Sequence, residues 1–152
     1  MKKRILFLVI IAFISLTGFA QNEAKRTAQF NLEKKVAIQG YDPVSYFKGK
    51  PVKGKSDIST IFQGVIYNFS SLANKEAFIK NPAGYEPQYG GWCAYAMGTK
   101  GEKVEINPET FKIVNGKLYL FYNAYFNNTL KDWNKNEVNL MKKADINWKS
   151  IF

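Results

Sequence analysis

Residues Tyr85 to Gly98 read YEPQYGGWCAYAMG and hold the single cysteine of the chain, Cys93, with Met97 four positions on. Gly90 and Gly91 bring the backbone close and set Cys93 near a helix start. There, backbone amides and the helix dipole favour thiolate over thiol. No acidic residue lies between Glu86 and Glu102, and Lys100 adds positive charge nearby. A thiolate and a thioether one helical turn apart face the same way. With a third donor such as Met141, they form a candidate site for Cu(I) or another soft metal ion. The same thiol could instead cycle through a sulfenic acid or a mixed disulfide, which needs no second cysteine. Tyr85, Tyr89, Gly90, Gly91, Trp92 and Tyr95 are the candidate lining of a ligand pocket. Beside each stands a plainer role: Cys93 as a small buried hydrophobe, Met97 as core filler, and the rings as core.

Two absences prune the chemistry. The chain has no histidine, which removes Ser-His-Asp and Cys-His catalysis and histidine metal sites. One cysteine cannot close an internal disulfide, so stability must come from packing, consistent with 16% aromatic residues. Asp42 and Glu86 are the nearest candidates for a general acid or base. Asp42 reads better as a helix cap and Glu86 as solvated surface, so no catalytic residue is assigned and a non-enzymatic role is favoured.

The elements that must position these residues follow from local signals. Asp42-Pro43 opens a short helical turn carrying Val44, Tyr46 and Phe47. Ile58–Phe62 and Val65–Phe69 face each other across Gln63-Gly64 as a hairpin. Ser70 or Ser71 caps a helix over LANKEAFIK with Leu72, Phe78 and Ile79 inward, stopped by Asn81-Pro82. A loop then leads into a short helix between Gly91 and Gly98. Val104-Glu105-Ile106 is a candidate short strand. FKIVNGKLYLFYN is a second hairpin on Asn115-Gly116. From Ala124 the pattern is helical, with Tyr125, Leu130 and Trp133, then Val138, Met141, Ala144 and Trp148, at steps of three to five residues. The sum is an α+β fold: a small antiparallel sheet of two hairpins with helices packed on one side, as a single domain.

The N-terminus reads MKKRILFLVIIAFISLTGFAQ, a basic start, an apolar run of about a dozen residues and small residues Gly18 and Ala20 before Gln21. Residues 1–20 are expected to be a secretory signal peptide, with an uncleaved membrane anchor as the alternative. Residues 21–35 read as a polar, mobile lead-in or a marginal first element, and 36–152 as the domain. The mature protein is expected to be exported, periplasmic or secreted, with no transmembrane anchor. The formal charge of +10 falls to +7 without Lys2, Lys3 and Arg4. The remaining charges are interleaved and read as solvated surface, not as a nucleic-acid footprint.

GYDPVSYF at 40–47, YNFSSLANKEAF at 67–78, NPAGYEPQYGGWCAYA at 81–96, and GKLYLFYN followed by Trp133 and Trp148 resemble a YHS domain. The nearest likeness is to the exported YHS domain-containing branch, over about residues 38–150. In metal-associated YHS domains three cysteines occupy positions that fall here on Ser45, Ser70 and Asn74. Hydroxyls and amides hold copper or zinc poorly beside thiolates, so the resemblance implies an inherited fold without that metal site. It also implies that position 93 matters, because some members of the branch carry selenocysteine there. The expected function is a soft-metal or small-ligand binding accessory protein of the cell envelope, centred on Cys93. The alternatives are a thiol-redox protein with Cys93 as nucleophile, and an envelope-partner-binding module with Cys93 buried and inert.

Overall fold

The computed structural model describes residues 21–152. The expected signal peptide, 1–20, lies outside the described residues. No helix among the described residues is long and apolar enough to cross a membrane. Residues 21–29 are helical (α1). They are followed by β1 (Leu32–Glu33) and β2 (Val36–Ala37), which turn on Lys34 and Lys35, both at positive φ. A short 3-10 helix covers Ser45–Lys48. Then come β3 (Lys55–Phe62), β4 (Val65–Phe69), α2 (Leu72–Lys80), α3 (Pro82–Tyr85) and α4 (Ala94–Lys100). The C-terminal part holds β5 (Asn107–Val114), β6 (Lys117–Phe121), β7 (Asn123–Ala124), β8 (Asn127–Asn128), α5 (Thr129–Lys135) and α6 (Glu137–Ile151).

The protein is mixed α and β, and both expected hairpins form. Ile61 pairs Ile66 and Phe62 pairs Val65 across Gln63-Gly64, and Val114 pairs Lys117 across Asn115-Gly116. They do not join into one antiparallel sheet. The first hairpin belongs to a mixed four-stranded sheet of order β1-β2-β4-β3, while β5 and β6 form a ribbon of their own. The reason is that turn chemistry fixes each hairpin locally, whereas the free edge of β4 is taken by a distant strand. β2 runs parallel to β4 through the single pair Val36–Ile66, with the Ile66 amide donating to the Lys35 carbonyl at 2.8 Å.

The alternation of β6 divides the core. Leu118 and Leu120 join Val65, Tyr67, Phe69, Phe78 and Cys93 in one apolar cluster. Tyr119 and Phe121 point the other way, into a cluster with Met97 of α4, Trp133 of α5, and Leu140 and Ala144 of α6. Side chains of a strand alternate between faces, so a run that is apolar throughout, LYLF, lies where both faces are covered. α4, α5 and α6 therefore meet one face of β6, and the first sheet with α2 the other. α4 meets α6 closely enough that a Cβ at Gly98 would stand 2.6 Å from the Leu140 carbonyl oxygen.

Several local expectations are corrected. In α2 only Phe78 of the three apolar residues turns inward; Leu72 and Ile79 are exposed, because Asn74 takes the inner position. Val104–Ile106 forms no strand. Tyr125 lies in no helix: with Phe126 it makes the positive-φ tip of the β7–β8 hairpin, and both rings are exposed. Val138 is exposed also. The lead-in 21–35 is built into the fold, with Arg26 of α1 buried.

Candidate functional site

Cys93 is the residue before α4, at φ −58° and ψ 116°, and its amide donates to the Val104 carbonyl at 3.0 Å. Gly90 and Gly91 precede it, at φ +61° and +86°. They are held by the N-terminal segment: Asn31 donates its amide to the Gly90 carbonyl at 2.9 Å, and the Trp92 indole donates to the Gln29 carbonyl at 2.7 Å. Gly90 has no room for a side chain, since a Cβ there would stand 2.7 Å from the Phe30 ring.

The sulfur of Cys93 exposes no surface to solvent. It accepts from the Tyr122 amide at 3.3 Å and lies 3.5 Å from the Thr129 hydroxyl. That hydroxyl donates its one proton to the Tyr122 carbonyl at 2.9 Å, so at sulfur it acts as acceptor and Cys93 donates its S–H. One layer outward lies a cavity of about 320 Å³, bordered by Cys93, Tyr95, Lys100, Glu102, Tyr122 and Thr129 among others.

Met97 does not join this site. Because Cys93 caps the helix instead of lying within it, the four-residue step does not align the two side chains. Cys93 packs in the first cluster, and Met97 with Met141 in the second. Among the described residues no group of three or more His, Cys, Asp or Glu side chains is placed to hold a metal ion.

The expected aromatic lining separates as well. Tyr95 borders the Cys93 cavity, while Tyr89 and Gly90 border a different one, of about 410 Å³. Tyr85 packs edge-on against Phe47 with ring centroids 5.2 Å apart. Gly91 and Trp92 line neither cavity.

Ser45, Ser70 and Asn74 do come together, around Asp42. The Asp42 carboxylate is fully buried and accepts from the Val44 amide (2.9 Å), the Ser70 amide (2.8 Å), the Ser70 hydroxyl (2.7 Å) and the Asn74 side-chain amide (2.6 Å). Ser45 donates to the Asp42 carbonyl at 2.7 Å and accepts from the Val52 amide at 2.9 Å. Ser71, not Ser70, caps α2. Asp42 does cap the turn that follows it, through Val44, but its second oxygen ties that turn to the start of α2.

Glu86 is the functional candidate that sequence reading misplaced. It is not solvated surface: Arg26 and the Tyr67 hydroxyl both donate to its Oε1, with side-chain exposures of 8% for Arg26 and 15% for Glu86. Burial, and then the Glu86 charge, hold the Tyr67 pKa well above its ordinary value, so Tyr67 remains a donor. No local signal marks it, because its partner Arg26 lies sixty residues away in α1.

Set against protein-family models, curated proteins and solved structures, the chain matches none of them.

Proposed function

We propose that this chain is an exported, YHS-like, non-enzymatic domain that binds a small ligand in the cavity beside Cys93. One observation carries the reading: Cys93, its sulfur tied to Tyr122 and Thr129 and covered from solvent, is among the residues that line a cavity of about 320 Å³. That volume lies near the lower end of the roughly 300–1,000 Å³ range of small-molecule sites. Lys100 and Glu102 at the border and the Tyr95 and Tyr122 rings supply both polar and apolar contacts. Copper coordination is the weaker form of the proposal, because Met97 and Met141 pack on the far side of β6.

A thiol-alkylation series tests it. Iodoacetamide is expected to modify Cys93 in the native protein, slowly against a free thiol, while a bulky dye-maleimide modifies it only after denaturation. Labelling by both reagents only after denaturation would sink the small-ligand reading and leave the partner-binding module with an inert cysteine. Cu(I) uptake abolished by Cys93→Ser would restore the metal reading.

Thiol-redox chemistry is a second reading, favoured by the Tyr122 amide aimed at sulfur. In it a peroxide O–O bond breaks, one oxygen goes to sulfur as a sulfenic acid and the other leaves as water. Peroxide-dependent trapping by dimedone is the expected result. An untrapped thiol in native protein excludes that reading.

A further inference from the structure

The cavity of about 410 Å³ lies between the loop after α3, the start of β6 and the last turns of α6, and uses no residue of the Cys93 pocket. Two carboxylates line it, each with one oxygen already committed. Glu86 gives Oε1 to Arg26 and Tyr67, and Asp145 gives Oδ1 to the Tyr89 hydroxyl at 3.0 Å. Burial raises the pKa of both tyrosines, which keeps these donors protonated and the carboxylates fixed in orientation. Among the described residues the second oxygen of each carboxylate accepts no side-chain or backbone hydrogen bond, and so is free for a ligand.

Two cations line the same cavity. Lys117 and Lys149 form no ion pair among the described residues, with these carboxylates or any others. Lys117, Asp145 and Lys149 lie exposed at its rim and Glu86 lies deeper, so the cavity presents opposite charges to one ligand. A ligand that carries both an ammonium and a carboxylate satisfies each pair at once, whereas a simple cation or anion meets one pair and is opposed by the other. The apolar wall is Phe30 and Trp148. Trp148 stacks on Phe152 at 3° and meets Phe30 at a tilt of 50°.

We propose that this cavity binds a free α-amino acid, its ammonium between Glu86 and Asp145 and its carboxylate facing Lys117 and Lys149. The side chain of the ligand lies along Phe30 and Trp148.

Isothermal titration of the chain with L-phenylalanine, L-lysine and L-glutamate tests this, each beside its N-acetyl and its amide derivative. At least one free amino acid is expected to bind, and both of its derivatives about tenfold more weakly, since each loses a charge-assisted contact. Asp145→Asn, which keeps an acceptor for Tyr89, and Lys149→Gln are each expected to weaken binding by a similar factor with Tm unchanged. No binding by any free amino acid, equal binding of a blocked derivative, or undiminished binding in both variants would overturn the proposal. Iodoacetamide labelling of Cys93 in the same samples reports on the other pocket alone, so the two proposals fail separately.

Discussion

Asp42 and Glu86 are both acids largely withdrawn from water, and the protein treats them in opposite ways. Asp42 is ringed by donors on both oxygens, supplied by residues of the two elements it joins. Glu86 is held on one oxygen by two partners, Arg26 and Tyr67, and is among the residues that line a cavity. Burial alone thus does not separate an acid that fastens the fold from one ready for a ligand. The separating feature is whether neighbours exhaust its hydrogen-bonding capacity and whether empty space remains beside it.

The comparison can be broken most directly by deleting the fastening acid. Asp42→Ala strands the Val44 and Ser70 amides and Asn74 in the interior, at about 1–3 kcal/mol each. A loss of about 4 kcal/mol or more in urea denaturation is expected, a large share of the roughly 5–15 kcal/mol of a domain. A loss under about 1 kcal/mol would mean that water fills the gap. Glu86→Gln keeps an acceptor for Tyr67 but leaves Arg26 without its counter-charge, and a loss of about 2–3 kcal/mol is expected by the same measurement. A larger loss than that of Asp42→Ala would reverse the assignment of the two acids.

The Tyr67 bond sharpens the contrast further. Its pKa is raised in the folded protein, so its contribution is complete below the unfolded value of 10.0 and declines as pH rises past it, because only the unfolded chain then ionises. Tm is expected to be level up to about pH 10 and to fall above it. Tyr67→Phe should lower Tm near neutrality, through a loss of about 1 kcal/mol, and make the alkaline fall shallower. An unchanged alkaline limb would place the effect in Tyr46 or Tyr89, whose pKa values burial also raises. The smallest effect is expected at Cys93→Ser. A hydroxyl can keep both the Tyr122 and Thr129 contacts, so stability should change by about 1 kcal/mol or less. A change above that of Glu86→Gln would make the sulfur a structural member of the core.

The parts of the fold that could be read from sequence are those whose cause is local. Gln63-Gly64 and Asn115-Gly116 announce two hairpins because each offers a glycine to a left-handed turn position. The two other hairpins turn on Lys34-Lys35 and Tyr125-Phe126, which carry positive φ without glycine, and no dipeptide signal marks them. Tyr125 was drawn into a helical pattern by its spacing to Leu130 and Trp133 for the same reason. The parallel pairing of Val36 with Ile66 depends on two segments thirty residues apart, and periodicity says nothing of it. At the candidate site, the prominence of Cys93 and its place at a helix start were legible. Its partners Tyr122 and Thr129 were not, because they arrive from the far end of β6 and the start of α5. The pairing with Met97 failed on a single detail, the extended ψ of Cys93, which turns the thiol away from the helix face. Glu86 was misjudged because its partner, Arg26, sits in a segment whose polarity resembled a tail.

The narrow seam between β2 and β4 carries a consequence for processing. Beyond the β3 side, the rim of β4 is guarded by Val36 and the Lys35 carbonyl and little else. A protease that trimmed the chain past those two residues would leave an apolar strand with bare amides and carbonyls, open to a second molecule. Clipping at that point and clumping in solution would then be one event, since the same cut also takes away α1 and the Arg26 partner of Glu86.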